Sequence, residues 1–238
     1  MINHPNRSKA EKPAVKIDIN IARKVLEVVD AGLVKGVGKP IPGQMCVEAA
    51  VCYAMGLPHG DEPDCVARSL RSLKIRLNDS RWSSDAARAK GLRRLALAQL
   101  GSKGALDEIE FGRRVAVLAI KTSIPFALRT AASIHKDPKH QAALRDAANN
   151  CERVSNETSA REARSVAQAA RKAAADAAAA DAYADADAAA DAAAAADAAD
   201  AKSAIDKSLA DFAEGVVQIL IEMSAPGVQW LALTEIAA

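Results

Sequence analysis

Apolar residues recur at helical spacing along most of the chain, and the breaks between runs fall at glycine, proline and capping residues. Val15, Ile17 and Ile19 alternate with Lys16, Asp18 and Asn20, a period-two pattern too short to establish a strand. From Ile21 the spacing turns helical through Val25, Leu26, Val28, Val29 and Leu33, and Gly36 to Pro40 ends the run. Met45 to Met55 is apolar nearly all round, the pattern of a buried helix. Beyond the Leu57–Pro63 loop, Asp61 or Asp64 is the expected cap of a third helix, with Pro63 in its first turn and Val66, Leu70, Leu73 and Leu77 as its stripe. Ser83-Ser84-Asp85 caps a helix running to Leu100 and stopped by Gly101, and Asp107 has capping-box spacing for one through about Thr122. Pro125 then marks a break, and the pattern resumes to Ile134.

From Asp137-Pro138 no glycine or proline occurs until Gly215. This stretch reads as one long helical segment, or as two helices joined near Asn156, because Ser159 to Glu162 has capping-box form. Residues 173–201 are 21 Ala, 7 Asp and one Tyr, strongly helix-forming but with the aspartates scattered around the axis, which excludes a coiled-coil seam. An apolar helix with Leu209, Phe212, Val216, Ile219, Leu220 and Met223 follows, and Trp230, Leu231, Leu233 and Ile236 are expected to dock back onto the fold. The expected architecture is all-α: an irregular helical bundle, a long Ala-rich helix and a C-terminal helix packing back. Residues 1–14 read as a disordered arm, 15–135 as a basic bundle, 136–201 as the long segment and 202–238 as the closing helices.

Charge divides the chain. Residues 1–139 hold 24 Lys and Arg against 14 Asp and Glu, whereas 140–238 hold 8 against 16, so a net charge of only +2 conceals two halves of opposite sign. Such a split accompanies an acidic ligand for the basic half, or contact between the halves. No uninterrupted apolar run approaches the ~18–20 residues of a membrane span, so no membrane association is expected. Four cysteines, Cys46, Cys52, Cys65 and Cys151, are too few and too scattered for a disulfide framework, which points to the cytoplasm.

Candidate chemistry is sparse. Gly43-Gln44 followed by Cys46 opening a helix resembles the nucleophile setting of papain-like and transglutaminase-like hydrolases, which implies a Cys46 nucleophile, with His59 as base and Gln44 as oxyanion donor. Those families draw their histidine from a downstream strand; here no strand is expected, and the later histidines are His135 and His140. Cys46, Cys52, His59 and Cys65 lack structural-zinc spacing, so neither metal nor cofactor is expected. No Walker loop, dinucleotide fingerprint, His-Glu-x-x-His pair or nucleophile elbow occurs.

Residues 68–94 form a basic block in which Arg68, Arg71, Lys74, Arg88, Arg93 and Arg94 are the expected contacts to an acidic partner, nucleic acid or protein. The stretches GQMCVEAAVCYAMGLPHGDEPDCV and KIRLNDSRWSSDAARAKGLRRLALAQLGS, within residues 43–102, resemble a segment of uncharacterised bacterial and bacteriophage proteins, which implies a bacterial or phage setting and no activity. The pattern favours a non-enzymatic helical binding or assembly protein, with the Ala-rich helix as spacer or homo-oligomerisation element. A cysteine-dependent hydrolase or transferase and a purely structural self-assembling protein are the alternatives.

Overall fold

The computed structural model describes residues 17–181 and 190–235, and the side chains of these residues apart from 175–181 and 190–201. Among the described residues the chain is all-α: α1 (Ile19–Asp30), α2 (Val47–Ala54), α3 (Arg68–Asn78), α4 (Asp85–Ala98), α5 (Glu108–Lys121), α6 (Ser123–Ile134), α7 (Pro138–Val154), α8 (Glu157–Asp181) and α9 (Ala190–Glu222), then a 3-10 segment, η1 (Pro226–Thr234). One isolated antiparallel bridge, Gly38 to Met45, pins the loop between α1 and α2. The expected arm, residues 1–14, lies outside the described residues, as do 182–189 within the Ala/Asp stretch.

Local capping chemistry sets most helix starts. Asp18 accepts from the backbone N–H groups of Asn20 and Ile21 at 2.9 Å each, so the alternation at Ile17 and Ile19 is the lead into α1. Ser84 caps α4 by accepting from Ala87 N–H at 3.1 Å, and Asp107 caps α5. The third helix departs from expectation: it begins at Arg68, and neither Asp61 nor Asp64 caps it. Its start is satisfied from a distance. Ser102 Oγ accepts from Ala67 N–H at 2.9 Å, and Glu108, in the first turn of α5, accepts from Ser69 N–H at 2.7 Å. That N–H and the helix start hold the Glu108 carboxyl below its ordinary range.

The long segment breaks at Ser155, which takes the left-handed conformation (φ 51°). Asn156 and Ser159 then cap α8 reciprocally, each side-chain oxygen accepting from the other's backbone N–H, three residues before the box read from sequence. Between α5 and α6 the break falls at Thr122, which places buried Pro125 in the first turn of α6, where its missing N–H loses no helical bond.

Two cores result. The first gathers α1 to α4, Phe111 of α5, the later part of α9 and η1 around Val25, Val47, Leu70, Leu92, Leu95 and Leu220. The second is thinner, joining α6, α7 and α8 through Leu128, Ala132, Leu144, Ala148, Cys151 and Ala163. The C-terminal helix does pack back, along α4 and α5, and there the two charge halves meet within one chain. Arg94 pairs with Glu214 and Arg114 with Glu222, each at 2.9 Å, and Asp206 accepts from Ser83 N–H at 2.7 Å.

Candidate functional site

Residues 32–46 form a loop strapped across the α1–α2 junction, and the three expected catalytic residues lie on or against it. Cys46 is the N-cap of α2, its Sγ accepting from Ala49 N–H at 3.3 Å, and only 4% of it is exposed. A helix N-terminus favours a thiolate, but burial is the larger influence and pushes the Cys46 thiol up. Burial pushes Cys65 up as well, and Cys52 to about 12. Gln44 is exposed in the turn, where its backbone bonds Lys39 and Ile41. The ring of His59 sits against the Gly38 carbonyl at 3.1 Å, holding the loop. Gly38 fits there because a Cβ at that position would come within 2.0 Å of the Gln44 carbonyl oxygen.

Beneath the loop lies a polar pair that sequence reading missed. Glu48 of α2 and Lys74 of α3 are both 0% exposed, and Nζ stands 3.3 Å from Oε1. The geometry is that of an ion pair without a hydrogen bond: both Glu48 oxygens and the Lys74 nitrogen are buried with no hydrogen-bond partner. Burial pushes the Glu48 carboxyl up and pulls the Lys74 ammonium down. Lys74 was expected to face an acidic partner, and its burial corrects that placement. The signal was present, since Leu70, Lys74 and Leu77 share the i, i+4, i+7 stripe of α3, and Glu48 interrupts an otherwise apolar helix.

The expected arginine contacts are largely engaged inside the fold. Arg88 is buried, donating to the Asn78 and Leu33 carbonyls at 2.8 and 3.0 Å and pairing with Asp85, so it ties α3 and the loop to α4. Arg93 pairs with Asp30 at 2.6 Å and donates to the Thr234 carbonyl, Arg94 holds Glu214, and Arg71 meets Glu62 at 2.7 Å. Arg68 is exposed, beside Glu108. Among the described residues no three His, Cys, Asp or Glu side chains are grouped to hold a metal ion.

A further concavity lies elsewhere on α3. Leu73, Arg76, Leu77, Phe126, Leu209 and Phe212 line a groove of about 320 Å³ where α3, α6 and α9 converge. Its walls are mainly apolar, and among the described residues its one charged lining group is Arg76. The groove borders α6, which with α5 forms a helical run, Glu108–Ile134, long and apolar enough to cross a membrane by length and composition. Only 17% of its most apolar window is buried. In the sequence this surface is hidden because Lys121, Thr122 and Ser123 interrupt the apolar letters between α5 and α6. Comparison with protein families, with curated proteins and with solved structures gives no match.

Proposed function

We propose that this protein is a non-enzymatic binding protein that receives an acidic, amphipathic helix of a partner protein in the α3–α6–α9 groove, in a bacterial or phage-infected cytoplasm. The observation that carries the reading is the groove itself: apolar walls from three helices with Arg76 as the charged group of the lining. An apolar groove takes the apolar face of a helix, and a lone cation at the rim selects acidic flanks. Arg68 and Arg76 are exposed on a helix that carries no acidic residue, which extends the same preference along α3.

The test is fluorescence anisotropy with labelled amphipathic peptides of equal apolar content and acidic, neutral or basic flanks. Acidic peptides bind best, and Arg76→Glu or Ser208→Trp weakens them about tenfold, since each tenfold is ~1.4 kcal/mol. Equal binding to all three peptides, or to both variants, overturns the proposal. Strongly salt-dependent binding of duplex or single-stranded DNA in place of the peptides transfers the role to nucleic acid.

Self-association is the second reading, favoured by the exposed apolar residues of α5 and α6, Ile109, Val117 and Ile134. Light scattering across a concentration series tests it. A mass that rises with concentration and returns to the monomer in Val117→Glu supports it; sedimentation with phospholipid vesicles would instead assign that face to a membrane.

A further inference from the structure

A second, smaller cavity of about 90 Å³ lies under the 32–46 loop, between α2 and α3. Its polar lining is Cys46, Glu48, Asp61, Asn78 and Asp79, and it opens beside exposed Val37 and half-buried Asp61. The donors and acceptors there are unbalanced. Asn78 is fully committed: its oxygen accepts from Val47 N–H at 3.3 Å, and its amide donates to Val34 O and Asp79 Oδ1 at 2.9 Å each. Asp79 Oδ1 also accepts from Gly36 N–H at 2.8 Å. The Cys46 sulfur already accepts from Ala49 N–H. What remains facing the space is acceptor-rich: the carboxyl groups of Asp61 and Asp79, and above all Glu48, fully buried with neither oxygen hydrogen-bonded. A buried carboxylate left so is costly, and native structures resolve such groups with a water, an ion or a ligand.

We propose that this cavity is a binding site for a small organic cation, a primary alkylammonium group, with Glu48 as its buried counter-ion and Asp61 and Asp79 at its mouth. An ammonium brings three donors and one positive charge to a lining that offers acceptors and negative charge. The volume suits a group of a few heavy atoms, since one water takes ~30 Å³ of liquid. Lys74 supplies an intramolecular ammonium 3.3 Å from Oε1 but without a hydrogen bond, so the Glu48 oxygens keep acceptor capacity for a ligand. The site is separate from the groove and independent of what the groove binds.

The probe is ethylammonium chloride, titrated against the intact protein by thermal shift and by calorimetry, with sodium chloride and tetramethylammonium chloride at the same ionic strength as controls. A saturable rise in Tm with ethylammonium alone is expected. Asp61→Asn, which removes a half-exposed carboxylate from the mouth, weakens binding about tenfold, and Glu48→Gln abolishes it. If Glu48→Gln fails to fold, Asp61→Asn alone decides. A response equal to that of sodium chloride, an equal response to tetramethylammonium, which has no N–H to donate, or unchanged affinity in Asp61→Asn overturns the proposal.

Discussion

Glu48 and Lys74 couple at close range what their helices cannot supply separately. Removing one partner leaves the other charge buried, which costs ~3–5 kcal/mol, whereas replacing both with apolar or neutral groups of similar volume is close to neutral or stabilising. Lys74→Met is therefore expected to lower the chemical-denaturation midpoint sharply, and Glu48→Gln with Lys74→Met to restore most of it; equal loss in both variants would contradict the pairing. The thiols give a second prediction at this scale. With Cys46 and Cys65 pushed up by burial and Cys52 to about 12, the folded protein should react with a thiol reagent at pH 8 far more slowly than free cysteine, and the unfolded chain at the ordinary rate. Rapid labelling of Cys46 in the folded state would revive the nucleophile.

At the scale of elements, glycines show which contacts are rigid. A Cβ at Gly227 would meet the Leu97 and Ala98 carbonyl oxygens at 2.4 and 2.6 Å, both backbone, so η1 lies against the end of α4 with no room to give. The nearest atoms to a Cβ at Gly215 would be the tip of Leu118, at 2.8 Å, a flexible side chain. Gly227→Ala should cost ~2–3 kcal/mol and undock η1, while Gly215→Ala should stay within ~1 kcal/mol, as overpacking commonly does where neighbours yield; denaturation midpoints of the two separate the cases.

The first turn of α5 adds a pH dependence. Arg113 and Arg114 hold the Glu110 carboxyl down at about 2, below its ordinary 4.5. A depressed carboxyl stabilises the fold above its unfolded pKa, and that share is lost as pH falls from 4.5 towards 2. Glu110→Gln should accordingly flatten the acid limb of the stability profile in that interval.

Across the whole molecule, legibility tracks the range of the forces. Starts set by a residue and its own neighbours, at Asp18, Ser84, Asp107 and Asp137, are written locally and were readable. The start of α3 was not, because its partners, Ser102 and Glu108, lie 35 and 39 residues away from the N–H groups they accept from. The basic block was legible as composition but not as surface: Arg88, Arg93 and Arg94 reach backbone carbonyls and acidic groups that only the folded topology brings near. The groove was likewise beyond reach, since its walls come from helices that are distant in sequence.

The return of α9 along α4 orders events during synthesis. Leu92, Leu95 and Leu97 leave the ribosome more than a hundred residues before Val216, Leu220 and Leu231, which share their core. Until then the nascent basic bundle presents an uncovered apolar seam, the kind of surface that chaperones hold. Closing so large a loop late also raises contact order, which makes folding of the first core slow relative to the α6–α7–α8 unit, whose partners are neighbours in the chain.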